Sequence, residues 1–314
     1  MDTGSASGDD AAMDLRPDAR RCYLVSDLHG EVERYQALFS LLRADPPDLL
    51  FLAGDLLPQP MPPAFPPAPA GEDFVNRYLL PRFRALRREL DERYPTVLLV
   101  LGNDDPRYEE ASMLGGAVEH AWHYLHDRRV IAAGRPVYGY NCIPPSPFRR
   151  KDWERYDISR YVDPGSVSPE EGELTVPRSA RERRNATIAS DLERMVGDAD
   201  VSSALFLFHV PPYKTVLDTT NLHAKKVDGV PLDRHIGSIA VRRLIEERQP
   251  YLTLHGHVHE AYSLTGEFVT RIGSTWCLSS AHHGSALAVV DFTLDDPSSA
   301  RRRVSPEKAV RPDR

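Results

Sequence analysis

Five short apolar runs alternate along the chain with amphipathic segments, and this alternation restricts the possible fold more than any other feature of the sequence. Each run has four or five residues, which is typical of a buried strand and too short for a buried helix. Residues 31–44, 74–94 and 239–248 carry apolar side chains at helical spacing between the runs. The β–α–β–α order predicts an α/β fold with helices packed on parallel strands. The five runs are Cys22–Ser26, Leu49–Ala53, Val97–Leu101, Ala204–Phe208 and Tyr251–Leu254.

Other segments extend this pattern or interrupt it. Two later runs, Phe268–Ile272 and Ala286–Phe292, predict further strands in a hairpin or a second sheet. Three long segments lie between the predicted elements, at Leu57–Phe74, Ile143–Leu174 and Pro211–Ser238. The first is too rich in proline to form a helix or a central strand. Loops of this length in a compact domain are usually functional or disordered.

Composition limits the class of protein. The chain has 314 residues, of which 41% are hydrophobic, and a formal net charge of −7. The size allows a large core, and the acidic balance disfavours a nucleic-acid or anionic-membrane partner. The three cysteines show no C-x-x-C spacing. No apolar stretch reaches the roughly 20 residues of a membrane span, and the N-terminus lacks the pattern of a secretory signal. We therefore predict a cytoplasmic protein with one domain at 21–296, a disordered N-terminal tail at 1–20 and a C-terminal tail at 297–314.

A polar metal-ligating residue type follows every one of the five predicted strands. In an α/β sheet the carboxyl ends of the strands meet at one edge, where ligands bind. The histidines and aspartates that lie two residues apart, in D-L-H and in H-V-H, point to the same side if those segments are extended. We therefore expect one site that contains seven donor residues. They are Asp27, His29, Asp55, Asn103, His209, His257 and His259.

The donor set indicates the chemistry. Imidazole, carboxylate and carboxamide without a thiolate suit Mn, Fe or Zn in a reactive site better than a structural zinc site. Seven donors exceed the need of one such ion, so two divalent ions that share a carboxylate are expected. Each motif alone has a plain structural explanation, such as a helix cap for Asp55 or a buried core histidine for His209. The ordered combination of the motifs carries the prediction.

At these residues the sequence resembles the calcineurin-like metallophosphoesterases, whose signature is D-x-H, G-D, G-N, H and G-H-x-H. The stretches SDLHGEVERYQALFSLL, HVPPYKT, HIGSIA and LHGHVHE resemble the bacterial and archaeal branch. The resemblance implies a four-layer αββα sandwich with two mixed sheets, in which a hydroxide bridging two metals attacks phosphorus. It also implies two ligand sets with Asp55 bridging. One set is Asp27, His29, Asp55 and His259, and the other is Asp55, Asn103, His209 and His257.

The chain departs from this family at G-N-D-D, because Asp104 stands where the family commonly has the histidine that protonates the leaving group. General acid catalysis is typically worth about 10²- to 10⁴-fold in rate. Asp104 could supply the proton if burial beside Asp105 raises its pKa. Three histidines outside the motifs are the alternatives. They are His223, His235 and His282. The predicted catalytic residues are Asn103, Asp104 and His209.

The sequence indicates the metal site more clearly than it indicates the substrate. Arg149 and Arg150, near aromatic residues in the second long loop, are predicted to bind the substrate, as is His235. A phosphodiester is favoured because two-metal cleavage of a diester with a good leaving group can proceed without the missing histidine. A phosphomonoesterase, and a weakly active or non-catalytic metal-binding scaffold, are the alternatives. The negative net charge disfavours a nuclease. The sequence does not indicate the oligomeric state.

Overall fold

The five predicted strands form, and both of their faces are buried because one face packs against helices and the other against a second sheet. The computed structural model describes residues 13–59, 73–222, 226–227 and 229–305. The central strands are β2 (Arg21–Val25), β3 (Leu49–Ala53), β4 (Thr96–Val100), β8 (Leu205–Phe208) and β11 (Leu252–His255).

The first sheet has six strands and contains three of the predicted runs. Its further strands are β5 (His123–Tyr124), β14 (Ala288–Thr293) and β15 (Arg301–Val304). Strands β2, β3, β4 and β5 run parallel, and β14 pairs antiparallel with both β2 and β15. The order across the sheet is β15-β14-β2-β3-β4-β5.

The second sheet has seven strands and contains the other two predicted runs. Its further strands are β1 (Asp14–Leu15), β6 (Arg128–Ala132), β7 (Arg135–Tyr140), β12 (Val269–Ile272) and β13 (Thr275–Ser279). The order is β1-β6-β7-β8-β11-β13-β12. Strands β7, β8, β11 and β13 are parallel, and β6 and β12 pair antiparallel with β7 and β13. A separate two-stranded ribbon consists of β9 (Lys226–Val227) and β10 (Val230–Pro231).

Alternating side chains of the strands contribute to two apolar clusters, one between the two sheets and one beneath the helices. In β3, Phe51 packs between the sheets, whereas Leu50 and Leu52 face the helices. This alternation is the two-residue period of a strand, and apolar residues on both faces bury the sheet completely. The predicted four-layer αββα sandwich with two mixed sheets is therefore confirmed.

Seven α-helices are described in the chain, and the predicted helices at 31–44 and 239–248 are among them. The predicted helix at 74–94 begins instead with a π-helical turn at Val75–Leu79 and ends with a 3₁₀ turn at Asp91–Arg93. Pro81 has no N–H for the usual helical bond, which accounts for the wider first turn. The α-helices are α1 (Val32–Ala44), α2 (Leu80–Leu90), α3 (Glu110–Val118), α4 (Ala180–Asn185), α5 (Ile188–Val196), α6 (Ile239–Arg248) and α7 (Ala261–Thr265).

The hairpin β6–β7 was not predicted from the sequence. Arg128 and Arg129 occupy the first positions of β6 and are exposed, and β7 contains Pro136 and Gly139. Both features weaken the pattern of a buried strand, and strands with proline or exposed charges are typical of the outer parts of a sheet.

Strands β1 and β15 lie outside the predicted domain bounds of 21–296, and the bounds themselves stay a prediction. Most of the proline-rich segment falls in 60–72, outside the described residues. None of the helices in the described part of the chain combines the length and apolarity needed to cross a lipid bilayer.

Candidate metal centre

The carboxyl ends of β2, β3, β4, β8 and β11 meet at one edge of the sandwich, and the seven predicted donors lie there. The two sheets stack so that β3 lies against β8 and β11. Backbone hydrogen bonds join the segments beyond the strands. The Asp27 N–H donates to the Gly54 carbonyl at 2.9 Å, and the Gly256 N–H donates to the His209 carbonyl at 2.9 Å. The turns that carry the donors are thus tied to each other as well as to their strands.

Four of the donors form a first cluster that could hold one metal ion. In this cluster one ligand atom from each residue lies within 4.8 Å of all the others. The Nε2 atoms of His29 and His259 are 3.2 Å apart, and His259 Nε2 is 3.2 Å from Asp27 Oδ1. Two imidazole nitrogens and a carboxylate therefore converge on one point, as they do around a divalent cation. The first cluster is Asp27, His29, Asp55 and His259.

A second cluster shares Asp55 with the first. It consists of Asp55, His209 and His257, whose ligand atoms also lie within 4.8 Å of one another. His209 Nε2 is 3.3 Å from Asp55 Oδ2 and 3.1 Å from Asn103 Oδ1. The His209 Nδ1 atom lies 2.7 Å from the Ala53 carbonyl, which fixes the ring and directs Nε2 into the cluster.

Four of the donors adopt a backbone conformation that costs free energy. Asp27, His29, Asp55 and His257 have φ angles of +57°, +48°, +52° and +74°. Residues with a side chain rarely occupy this left-handed region, and each costs about 1 kcal/mol or more. Such strain collects at functional sites, where the surrounding structure holds it in place. Its presence at four of seven donors indicates that their placement serves a function rather than stability.

Close packing around Asp55 explains the glycine that precedes Asn103. A Cβ atom at Gly102 would lie 2.3 Å from Asp55 Oδ1 and 2.6 Å from the His209 ring. Any side chain at this position would displace the carboxylate that the two clusters share.

Charges compensate each other in the clusters. Burial favours the neutral form of Asp27. The charge and the hydrogen bond of His259 have the larger combined effect and lower the pKa of Asp27 to about 2. Burial lowers the pKa of His259, yet Asp27 raises it to about 9. In the same way burial opposes the charge of His209, and Asp55 raises its pKa to about 10 while the pKa of Asp55 falls. In the absence of metal, protons on these two imidazoles thus balance the two carboxylates.

The other two histidines of the clusters are neutral. Burial lowers the pKa of His29 and lowers that of His257 to about 3. A neutral imidazole is the form that binds a metal. The buried Nδ1 atom of His29 has no hydrogen-bond partner among the described residues and lies 3.6 Å from Asp104 Oδ2. The donor types, their convergence and their protonation fit two divalent cations that replace the two imidazole protons.

Asp104 lies beside the clusters, as the motif order predicts. Its N–H donates to Asp55 Oδ1 at 2.8 Å, and its carboxylate accepts from the Gln59 amide and from Asn103 Nδ2 at 3.1 Å. Burial, followed by the charge of Asp55, raises the pKa of Asp104 to about 7. The expected rise in the pKa of Asp104 is found, and Asp55 is the acidic neighbour that contributes most to it. Asp105 is fully buried and accepts from the Leu57 and Gly102 N–H groups at 2.7 and 2.8 Å.

The structure separates the two arginines that were predicted to bind the substrate. Arg150 Nη2 donates to the Asp104 carbonyl at 3.0 Å, and its buried Nε has no hydrogen-bond partner in the described residues. The side chain of Arg149 is 68% exposed and pairs with Glu173 at 2.8 Å. Arg150 therefore reaches the metal centre, and Arg149 points away from it. The substrate-binding role of Arg149 stays a prediction without structural support.

The histidines considered as alternative proton donors do not join the clusters. His235 Nδ1 lies 2.8 Å from Asp218 Oδ1. The His235 side chain lines a cavity that no residue of either cluster lines. His282 Nδ1 lies 3.1 Å from Arg302 Nη2. His223 falls outside the described residues. Among the described candidates, Asp104 is the one that lies at the metal centre.

Arg34 is a residue of the site that sequence reasoning missed. Its guanidinium donates to the Asp27 carbonyl and to the Gly284 carbonyl, and Nε reaches the Ser285 carbonyl at 3.4 Å. Arg34 thereby holds the left-handed turn at Asp27. Gln59, which contacts the Asp104 carboxylate, was also missed. Neither residue belongs to a motif, and no spacing in the sequence marks them.

Carboxylate and imidazole groups that converge in this way are the ligand types that metal-dependent hydrolases use. The family model for the calcineurin-like phosphoesterases matches residues 20–261, and the chain belongs to this family. It is therefore a metal-dependent phosphoesterase, and the resemblance seen in the sequence is confirmed. No curated protein matches the chain.

Solved structures share the fold at low sequence identity. One of them is 15% identical with a TM-score of 0.53, and the match covers 91% of this chain and 98% of that chain. The crystal structure of TT1561 of Thermus thermophilus is 17% identical with a TM-score of 0.50, over 91% of this chain and 99% of that chain. At these identities the likeness shows the fold alone.

Proposed function

We propose that this phosphoesterase hydrolyses phosphodiesters with two divalent ions, one in each of the two clusters that share Asp55. The observation that carries the proposal is the shared carboxylate, because ligand atoms from both sheets form two groups around it. Asn103 completes the second cluster through its carboxamide oxygen, which lies beside His209. Bound ions supply charge stabilisation to the phosphoryl oxygens and activate a water.

Charge supports a diester over a monoester. A diester carries one negative charge on its phosphate, whereas a monoester carries up to two. Asp104 places a carboxyl group, which is neutral or negative, where this family commonly has an imidazole, which is neutral or positive. The site therefore has less positive charge to attract a phosphate, and this loss weighs more heavily on a doubly charged substrate.

Arg150 is proposed to hold the phosphate. Its guanidinium is fixed by one hydrogen bond to the Asp104 carbonyl, and its buried Nε has no partner among the described residues. A guanidinium has five N–H donors, so this one bond leaves others for a ligand. A phosphoryl oxygen is a suitable acceptor for them.

Asp104 stays the predicted proton donor to the leaving group, and this role rests on its position. Its carboxyl group lies beside His29 of the first cluster and is held by two amide groups, those of Gln59 and Asn103. A diester with a good leaving group needs little help from this proton, and one with a poor leaving group needs more.

The proposed specificity is tested with a chromogenic phosphodiester and the corresponding monoester. Metal-stripped protein is given Mn, Fe, Zn or Mg in turn, and initial rates are measured on both substrates. We expect at least one metal to restore hydrolysis and the diester to have the higher kcat/KM. A higher kcat/KM on the monoester would make the protein a phosphomonoesterase. The absence of turnover with two ions bound per chain would favour the scaffold.

Asp104→Asn should slow diesters with poor leaving groups more than those with good ones.

Arg150 and Arg149 form a matched pair for testing phosphate binding. We expect Arg150→Ala to lower diester kcat/KM by about 10²-fold, since a charge-assisted hydrogen bond at a reacting phosphate is lost. Arg149→Ala should change it by less than about twofold, because the side chain is exposed and bound to Glu173. Equal effects of the two substitutions on kcat/KM would contradict the assignment.

A further inference from the structure

A surface cavity with a basic lining, open to solvent, lies between the loop that follows β8, helix α6, helix α7 and strand β12. Its volume is about 480 Å³. No residue of either metal cluster lines it, although Lys214 follows His209 by five residues and Thr265 follows His259 by six. We call it the basic cavity. Its lining is Lys214, Thr215, Val216, Thr219, Arg234, His235, Arg242, Thr265, Thr270, Arg271 and Ile272.

The charge of the basic cavity is opposite to that of the whole chain. Four of its eleven lining residues are lysine or arginine, a fifth is a histidine and none is acidic, whereas the formal net charge of the chain is −7. Three of the nearby carboxylates are engaged with a partner. Asp218 pairs with His235, and Glu246 pairs with Arg242 at 2.7 Å. Asp233 accepts a hydrogen bond from the Tyr213 hydroxyl.

Buried hydrogen bonds hold one wall of the cavity in place. The fully buried Asp218 carboxylate accepts from the Lys214, Thr215 and Gly237 N–H groups at 2.9, 2.8 and 3.1 Å. It also fixes His235, whose Nδ1 is 2.8 Å away. Lys214 is held at a φ of +54°, a left-handed conformation that a side chain rarely adopts. The loop is therefore kept in one conformation that places two basic residues on the cavity.

Two arginines of the lining remain available to a ligand. Arg234 has no ion-pair or side-chain hydrogen-bond partner in the part of the chain that the structure describes. Arg271 stacks on Trp276 at 4.7 Å, and its Nη2 makes a long hydrogen bond of 3.4 Å to the Ser274 carbonyl. Arg242 is braced by the Tyr213 and Lys214 carbonyls at 2.9 Å each. Several guanidinium groups around one cavity suit phosphate or carboxylate groups.

We propose that the basic cavity binds a small, multiply charged anion, such as a compound with a diphosphate group, separately from the metal centre. The cavity has the volume of a small-molecule site, which typically measures about 300–1,000 Å³. The anion is either a free ligand or a remote phosphate of a substrate whose ester lies at the metal centre. Both sources have the same chemistry, and kinetics separates them.

Binding of inorganic pyrophosphate by calorimetry tests the proposal. We expect the full-length protein to bind it both with metals and after they are stripped. Arg234→Gln/Arg271→Gln should weaken the affinity at least about tenfold, because two charges are lost. Affinity should also fall as ionic strength rises from about 0.05 to 0.5 M. The matched control is Arg88→Gln/Arg93→Gln, which removes two exposed charges elsewhere and should bind as the wild type does.

Equal affinities in the two double variants, or loss of binding when the metals are removed, would overturn the proposal. Thermal unfolding of both variants checks that each is folded. This binding measurement does not depend on the proposed phosphodiesterase function, so the two can fail separately.

Kinetics then identifies the source of the anion. If the anion is part of the substrate, Arg234→Gln/Arg271→Gln should raise KM for a diester that carries a second phosphate and leave KM unchanged for a chromogenic diester that lacks one. If the anion is a free ligand, KM should stay unchanged for both while pyrophosphate binding is lost. An equal loss of kcat on both substrates would indicate a structural defect and contradict the proposal.

Discussion

Asp55→Ala is expected to lower phosphodiester hydrolysis by about 10³-fold or more and to abolish the binding of two metal ions per chain. Asp55 is the one residue that belongs to both clusters. Its carboxylate lies 3.3 Å from His209 Nε2 and accepts the Asp104 N–H at 2.8 Å. Losing it removes a ligand from each ion and the charge that orients His209. Groups that stabilise the transition state of phosphoryl transfer carry effects of this size.

Metal content and activity should fall together in this experiment. Metal per chain is measured by elemental analysis after dialysis, and hydrolysis is measured on the same sample. Asp55→Asn, which keeps the shape of the side chain, guards against a folding defect in the alanine variant. Asp105→Asn is the matched control, because Asp105 is fully buried at the same edge but belongs to neither cluster. Unchanged hydrolysis in Asp55→Ala would contradict the account.

Lys151→Met is expected to lower the free energy of unfolding by about 3 kcal/mol at pH 8. The Lys151 side chain is fully buried and pairs with Glu154, whose side chain is 1% exposed. Lys151 Nζ also donates to the Ser146 carbonyl at 2.8 Å, and Ser146 donates to Glu154. Removing the lysine leaves a buried carboxylate without its cation, which is among the most destabilising single changes. The same segment carries Arg150 to the metal centre.

The loss should grow as pH rises. Burial raises the pKa of Glu154 to about 7 against the effect of Lys151, and without Lys151 the pKa rises further. A carboxyl group with a higher pKa in the folded state binds more protons there than in the unfolded state. Stability therefore falls as pH rises above the unfolded value. Denaturant unfolding at pH 5 and pH 8 measures this difference.

Two variants serve as controls for the buried pair. Arg149→Met removes an exposed charge only two residues away and should cost less than about 0.5 kcal/mol. Lys151→Met/Glu154→Gln should recover more than half of the loss, because no unpaired charge remains. A cost for Lys151→Met no larger than that for Arg149→Met would show that the buried pair does not stabilise this segment.

The fold could be predicted from the sequence where one local pattern decided the structure. The run Leu49–Ala53 is apolar throughout because β3 is covered on both faces, and its observed bounds match the prediction. Helix α6 likewise begins and ends as predicted at Ile239 and Arg248. The hairpin β6–β7 escaped prediction because long-range pairing holds it, and its residues are partly exposed or interrupted by proline and glycine.

The position of the seven candidate donors at one edge of the sandwich could be predicted for a different reason. Each follows a strand, and strand ends converge whatever the details of packing. The residues that surround the donors depend on the orientation of side chains, and the spacing of residues in the sequence does not predict this orientation. Arg149 and Arg150 are neighbours in sequence, yet one binds Glu173 on the surface and the other reaches Asp104. The basic cavity draws its residues from five separate segments, so its charge is not visible as a local cluster.

A crystal structure of the Mn²⁺-loaded protein would show whether Asp55 bridges two metal ions. Data collected at the manganese absorption edge locate the ions through anomalous scattering. We expect two peaks per chain about 3.5–4 Å apart. The Asp55 carboxylate should lie between them, with His29 and His259 on one ion and His209 and His257 on the other. A single peak, or two peaks that Asp55 does not bridge, would contradict this expectation.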